Sequence, residues 1–390
     1  MKKRTFLVLL GGFLVVTFLS MVEMDVCAKE IRLGPVRFKP SIRIQEKYEE
    51  NIFLEATDKE SDFITTIAPT MSFDLPFADY RASLAYALNV VKFAKHPRQD
   101  SYNHEVIAFL GLNFTKFKFT AENEFQDTKE IADTELSRRI HRSRNDVRAN
   151  VSTDLHRINL DLGFRNIFDD YKEAAWEHED RYENIFALKG SYRLLPKTSL
   201  LLEYNLGGVR YYTSDNPNAD YHQGFIGIEG RLTARSLGAI KVGYQARNYK
   251  RSGVADFYSL VTTISIAERF TARDIAKLGF LRSAVESTYG VNNYYQVNRL
   301  IAEYSHEFTK RFSGILNGAY QFNKYPKETT EGSESKKRKD TLWSAGILFN
   351  YKFRKWISFE LGYKYDGRDS NFGVFDYGDN VSTLSVTAEF

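Results

Sequence analysis

The 390-residue chain is 15% aromatic and 27% charged, carries a formal charge of +4, and has a mean hydropathy of -0.41. That balance excludes a disordered chain, a bundle of membrane helices, and a dedicated nucleic-acid binder with its concentrated basic surface. Only 8 residues are Pro, which suits long strands whose ladders need every N–H.

At the N-terminus, Lys2, Lys3 and Arg4 precede the apolar run FLVLLGGFLVVTFL (residues 6–19), and Val26, Cys27 and Ala28 supply small residues that a signal peptidase accepts. The run is shorter than the roughly 20 apolar residues of a spanning helix. Residues 1–28 therefore read as a secretory signal cleaved after Ala28, and residues 29–390 as the exported chain. Cleavage would remove Cys27, the one Cys, and with it any disulfide, thiol nucleophile or thiolate metal site. It would leave 51 basic and 48 acidic residues, a formal +3, once Lys2, Lys3, Arg4, Glu23 and Asp25 are gone.

From about Val36 onward the hydrophobic period is two. Tyr80, Ala82, Leu84, Tyr86, Leu88 and Val90 share one face. In KFKFTAENEFQ (residues 116–126), Phe117, Phe119, Ala121 and Phe125 oppose Lys116, Lys118, Thr120, Glu122, Glu124 and Gln126, with Asn123 the one polar residue on the apolar side. The pattern returns at Ile158, Leu160, Leu162 and Phe164; at Leu200, Leu202, Tyr204 and Leu206; and at Tyr258, Leu260, Thr262, Ile264 and Ile266. It continues at Trp343, Ala345, Ile347, Phe349, Tyr351 and Phe353, then at Ile357, Phe359, Leu361, Tyr363 and Tyr365, and ends on Leu384, Val386, Ala388 and Phe390.

About eighteen such segments occur, or sixteen if the weakly patterned ends do not pair, each near the ~10 residues of a tilted membrane strand. Short connections fall near residues 75–79, 115, 156–157, 195–197, 233–236, 267–269, 308–311 and 354–356. Long polar ones fall near 49–62, 94–102, 127–144, 166–181, 213–220, 249–255, 286–293, 325–340 and 367–378. Each pair of strands forms a hairpin of roughly forty residues, a weak repeat that echoes in Leu232-Thr233-Ala234-Arg235, Phe270-Thr271-Ala272-Arg273 and Phe308-Thr309-Lys310-Arg311. A propeller blade of that period would need four short strands rather than two long ones.

A soluble sandwich would have to hide every one of these apolar faces between two sheets. A closed barrel in lipid instead turns them toward acyl chains, and it places girdles of rings at the interfaces, as at Tyr211, Tyr212, Tyr294, Tyr295, Phe73 and Phe353. Closure is obligatory, because an open sheet edge in hydrocarbon costs several kcal/mol per unpaired group. The expectation is an all-β, antiparallel up-and-down transmembrane barrel, with short turns in the periplasm, long loops outside, and Leu384 to Phe390 pairing with the first strand near residues 38–48. Residues 29–35 are too few for a plug.

The opening of the exported chain carries a resemblance. Pro40, Tyr48-Glu49-Glu50-Asn51-Ile52-Phe53 and Ser61-Asp62-Phe63-Ile64-Thr65-Thr66-Ile67-Ala68-Pro69 are similar to the start of the outer-membrane barrels of the β-barrel porin 2 family, in which Y-x-x-N-I-Y/F precedes D-F-I-T-x-I-x-P. The resemblance implies an outer-membrane location in a Gram-negative-type bacterium, no catalytic residues, and a link to export of a surface polysaccharide. It also implies partners in outer-membrane lipid, the barrel-assembly machinery and periplasmic polysaccharide-export components. The terminal Phe390, with Leu384, Val386 and Ala388, resembles the signal by which such barrels are recognised for insertion.

Parity assigns the remaining polar chemistry to the lumen. Arg43, Arg81, Arg148, Arg165, Arg193, Glu203, Arg231, Lys241, Arg299 and Glu303 are the expected pore-lining residues, with Lys189, Asp146, Asp161, Glu229 and Glu360 beside them. A charge facing lipid at mid-bilayer would cost about 2–4 kcal/mol. Inward Ala85, Ala87, Gly163, Gly207, Gly243 and Gly318 would leave volume for an aqueous lumen, narrowed by loops. No cofactor, metal or catalytic group is assigned. A calcium site on Asp58 and Asp62 and a lipase-like His141 and Ser143 are the lesser readings, against a solvated acidic loop and a basic loop margin. The leading expectation is a passive outer-membrane channel that supports export of a surface polysaccharide; its alternatives are a general diffusion porin for small solutes, a non-conducting structural barrel and, last, an outer-membrane hydrolase.

Overall fold

The computed structural model describes residues 31–131, 138–254, 256–288 and 292–390, so the expected signal segment and its cleavage site lie outside the described residues. The period-two chain forms β1 (Ile31–Leu33), β2 (Val36–Glu49), β3 (Asp62–Pro76), β4 (Tyr80–Phe93), β5 (Ser101–Asn113), β6 (Lys118–Thr128) and β7 (Arg142–Leu155). Then follow β8 (Ile158–Tyr171), β9 (Arg181–Leu195), β10 (Thr198–Tyr211), β11 (Ala219–Arg231), β12 (Ser236–Tyr249) and β13 (Phe257–Arg269). The last six are β14 (Asp274–Glu286), β15 (Tyr294–Glu307), β16 (Phe312–Glu331), β17 (Glu334–Arg354), β18 (Ile357–Ser370) and β19 (Tyr377–Glu389). Each of β2 to β19 pairs antiparallel with its neighbours in sequence, and β19 returns to β2 from Val381↔Glu49 to Glu389↔Ser41, which closes an eighteen-stranded barrel.

A strand of 14 residues is ~46 Å long, and at a tilt near 45° it rises ~33 Å, enough to cross a hydrocarbon layer with its interfaces. The short β1 is an arm folded back on β2 through Gly34, whose φ of +64° suits a residue without Cβ. It pairs with residues 36–38 of β2, the part of that edge which β19 does not reach. An unpaired edge is thereby shortened.

All eight short turns lie at one end of the barrel, opposite the longer loops. The recurrent Thr explains three of them: Thr233 Oγ1 accepts from the Arg235 and Ser236 amides (3.2 and 3.0 Å), Thr271 Oγ1 from Arg273 and Asp274 (3.0 and 3.1 Å), and Thr309 Oγ1 from Arg311 and Phe312 (3.2 and 3.0 Å). The hydroxyl thus closes the turn from within. Rings gather beside these turns, with Phe38 stacked on Phe73, Phe114 on Phe117 and Phe308 on Phe312. At the other end Tyr212 packs against Phe168 and Tyr182.

Several details differ from the sequence expectation. The connection expected at 267–269 lies at 270–273, and the strand expected from Lys116 starts at Lys118, because Phe114 donates its N–H to the Phe117 carbonyl and keeps both rings in the turn. Residues 325–340 are not a loop: β16 and β17 continue outward through them, past an irregularity at Lys324/Glu328, to a tight turn at Gly332. Tyr211 and Tyr295 are buried on the inner side, so only Tyr212 of the first pair belongs to an outer girdle. Gly318 faces outward, since it alternates with exposed Leu316 and Tyr320; together with Ala302, Ala345 and Ile347 it floors an outer-face groove of about 800 Å³.

The outer face is apolar but not uniformly so. Its polar groups find partners across the strands: Asn123 with Asn145 (2.7 Å), Asn166 with Asn184 (2.8 Å), Tyr204 with His222 (2.6 Å) and Tyr363 with Asn380 (2.6 Å). The polar exception at Asn123 is thereby satisfied, as a lipid-facing amide requires.

Candidate functional site

The inner wall is built by alternation, and the expected lining residues take inward positions on it, most of them in small ion-paired groups. Asp146 accepts from Arg165 (2.6 and 2.9 Å) and Arg148 (2.5 Å), joining β7 to β8. Glu203 takes Lys241 at 2.9 Å, two strands away, and the Lys241 ammonium lies 5.2 Å from the centre of the Phe225 ring. Glu303 pairs with Lys277 (2.6 Å), Arg81 with Asp74 (3.2 Å) and Arg193 with Asp154 (3.2 Å). Lys189 bridges Glu229 (3.1 Å) and Asp161 (3.4 Å). Arg43 donates to Gln45 (2.7 Å), Glu360 accepts from Asn350 (2.8 Å), Arg299 is buried, and Arg231 is exposed near the turn end.

A second group of cations was not singled out by the sequence reading, although parity alone places most of it inside. Toward the loop end, Arg144 donates to Asp169 (2.8 and 3.0 Å) and Arg181 lies 3.6 Å from the same carboxylate. Four guanidinium groups there lie over rings: Arg181 over Tyr211 (5.8 Å), Arg247 over Tyr221 (4.8 Å), Arg338 over Tyr325 and Phe375 (4.9 and 3.7 Å) and Arg368 over Tyr377 (4.8 Å). These stacks desolvate the cation on one face while its edge still donates. The signal available in the sequence is an Arg or Tyr at the inward position near the loop end of β7 to β12, as at Arg144, Tyr171, Arg181, Tyr211, Tyr221 and Arg247.

One residue of a loop, Arg139, reaches inward at the mouth. Arg139, in the connection between β6 and β7, donates to Glu130 (2.7 Å) and to both oxygens of Glu49 (3.2 and 3.4 Å), and lies 5.2 Å from the Phe93 ring. Glu49 ends β2, five strands along the wall from β7, so this contact crosses the inside of the barrel. Ile140 anchors the same segment from the other side against Tyr171 and Trp176.

The motif residues at the start of the chain fasten the closure. Asn51 is fully buried; its Nδ2 donates to the Glu55 and Gly378 carbonyls (2.8 and 3.3 Å), its Oδ1 accepts from the Glu55 amide (3.0 Å), and its own amide donates to Asp379 (2.9 Å). The loop after β2 is thereby tied to β19. Asp62 accepts from the amides of Phe63, Lys95 and His96 and from His96 Nδ1 (2.7 Å), while His96 Nε2 meets Glu60 (2.6 Å). The hydrogen bond to Asp62, helped by Glu60, raises the His96 pKa above its usual 6.5. With Asp62 so occupied, the carboxylate holds two loops together, and among the described residues no group of three His, Cys, Asp or Glu is placed to hold a metal.

His141 and Ser143 do meet, through Asp127: His141 Nε2 lies 2.7 Å from one carboxylate oxygen and Ser143 Oγ donates to the other (2.6 Å). The carboxylate therefore sits between serine and imidazole. A nucleophile needs the imidazole in that place, to take the hydroxyl proton.

No curated protein matches this sequence. Among solved structures, Acinetobacter baumannii OccAB4 is similar with a TM-score of 0.49 at 13% identity, over 92% of this chain and 99% of that one. Pseudomonas aeruginosa OccK2 (OpdF), in complex with glucuronate, gives 0.49 at 10% identity over 90% and 98%. The outer membrane protein opdK of Pseudomonas aeruginosa gives 0.46 at 10% identity over 90% and 98%. The family model described as "Putative beta-barrel porin 2" matches residues 28–390, and the chain belongs to that family, as a porin-like barrel of the outer membrane.

Proposed function

We propose that the barrel is a passive channel and that it serves the export of a surface polysaccharide, working with periplasmic export components. The observation that carries this reading is the pairing of the wall charges. Asp146 with Arg148 and Arg165, Lys241 with Glu203, Lys277 with Glu303 and Lys189 with Glu229 and Asp161 cancel one another's field at close range. Such a wall keeps many hydrogen-bond donors and acceptors but little net attraction for a small ion. That combination suits a hydrated polymer of hydroxyl groups, which must bind weakly at many places and leave again. The loop at Arg139 supports a restricted mouth rather than a wide sieve.

The reading is tested in two steps. Refolded protein in a planar bilayer is expected to conduct with weak ion selectivity, and neutral oligosaccharides are expected to reduce the current reversibly. A cell lacking the protein is expected to retain polymer in the periplasm. Complete absence of conductance would remove the channel; conductance with unchanged surface polymer would leave a general diffusion porin for small solutes.

A further inference from the structure

The wall is not continuous between β13 and β14. Their ladder runs from Arg269↔Ile275 only as far as Thr262↔Arg282. Beyond it, residues 257–261 of β13 stay paired with β12 alone, up to Arg247↔Phe257, and residues 283–286 of β14 with β15 alone, up to Glu286↔Tyr294. Each strand thus presents an edge without its ladder at membrane depth, where an unpaired backbone group costs several kcal/mol.

Side chains partly replace the missing ladder. Arg282 alternates with exposed Leu278 and so lies on the outer face; its Nε donates to the Leu260 carbonyl (3.1 Å), and its Nη atoms donate to Asn298 (3.1 Å) and Gln296 (3.3 Å). Gln296 in turn donates to Ser259 Oγ (2.7 Å).

Above this point the ends of β14 and β15 have moved inside those of β12 and β13. By alternation Ala284, Glu286 and Tyr294 belong to the outer face. Yet Ala284 is buried, Glu286 is ion-paired with Arg247 on the inner face of β12, and the Tyr294 ring packs on inward Tyr249 (6.0 Å) and Phe257 (4.8 Å). There the wall is two layers deep. Beneath the overlap Gln245 is 0% exposed, and neither its amide nitrogen nor its oxygen has a hydrogen-bond partner. Burying such an amide costs about 1–3 kcal/mol, a penalty that an arrangement giving Gln245 a polar partner would relieve.

We propose that this seam is a lateral passage between the lumen and the outer leaflet, and that the molecules using it are amphiphiles with an anionic headgroup. When the ends of β14 and β15 swing outward, Glu286 leaves Arg247, and a carboxylate or phosphate headgroup takes its place on that otherwise uncompensated cation. Gln245 gains a polar partner in the same movement. Arg282 receives the headgroup at the outer mouth, while the tail lies along Leu260, Leu278 and Leu300, which are exposed on the lipid-facing surface. This goes beyond passage along the barrel axis and stands whether or not the axis conducts.

The test uses the full chain with Cys27→Ser, Ser259→Cys and Gln296→Cys, refolded into vesicles and then joined, or not, by a short bifunctional thiol reagent. The probes are a phosphatidic acid carrying its diazirine at the headgroup end of the acyl chain, beside the ester, and the matching neutral diacylglycerol, with labelled peptides mapped by mass spectrometry. In the unjoined protein the anionic probe is expected to label the inner residues 245–249 by about tenfold over the neutral one, the order of one charge-assisted contact. Joining the seam is expected to abolish that labelling, and Arg247→Gln to reduce it to the neutral level, with the folded form checked by heat-modified gel mobility. Equal labelling by both probes, or labelling that survives joining, would overturn the proposal.

Discussion

Arg139→Ala tests how the mouth is held. The guanidinium side chain is 5% exposed and binds Glu49, itself 6% exposed, while Lys47 already sits 2.6 Å from the same carboxylate. Breaking a buried ion pair usually costs 3–5 kcal/mol because one charge is stranded. Here Lys47 remains, and the second partner, Glu130, is 41% exposed and can turn to water. The loss should therefore fall near the value of charged hydrogen bonds alone, about 2–3 kcal/mol. At ~1.4 kcal/mol per decade, that shifts the docked segment toward release by roughly 30- to 140-fold. In single-channel recordings the variant is expected to show larger unitary conductance and more open-channel noise than the natural protein. Glu49→Gln should change both less, because the amide still accepts from Arg139. A folded Arg139→Ala barrel with unaltered conductance and noise would refute the idea that this contact narrows the channel.

Deleting Phe390, or replacing it with Asp, is expected to leave secretion intact but reduce insertion, read as the ratio of outer-membrane to periplasmic protein; equal ratios would contradict an assembly role for the terminal ring. Thr271→Val removes the oxygen that accepts from Arg273 and Asp274 and should cost about 1 kcal/mol, lowering the midpoint of heat-modified mobility, whereas Thr271→Ser should restore it. Because His96 gains its proton affinity from folded partners, its stabilisation of the loop at residues 94–100 is fully present below 6.5, the usual His value, and is lost as pH rises through the elevated one. Limited proteolysis of that loop should accelerate across this interval, and His96→Gln should abolish the dependence.

The strand pattern was legible from the sequence because alternation is a local property: a residue's face follows from its neighbours at i±2. Eighteen strands, most of the eight short turns and the pairing of the last strand with the first were written in that period and its interruptions, although the exact register, Val381 to Glu389 with Ser41 to Glu49, was not. So was the inward assignment of Arg165, Glu203 and Lys241. The Thr of the repeated turns and the Asn51 of the opening motif could be seen as recurrent or familiar, but what they bond became visible only with the turn and the closure in place.

Alternation cannot say how far two strands stay paired, nor which partners meet across a lumen. Tyr294 and Glu286 have outward parity and yet touch inward residues, because the end of one hairpin lies inside the wall. Arg139 reaches Glu49 five strands away, and Asp127 comes between His141 and Ser143. The extension of residues 325–340 into strands depended on a partner strand long enough to receive it. Sequence therefore determined the closed barrel and the polarity of its two faces, which depend on local alternation and the cost of an open edge in lipid. Tertiary structure alone decided where the wall narrows and where its ladder breaks, since both depend on contacts between residues that the sequence holds far apart.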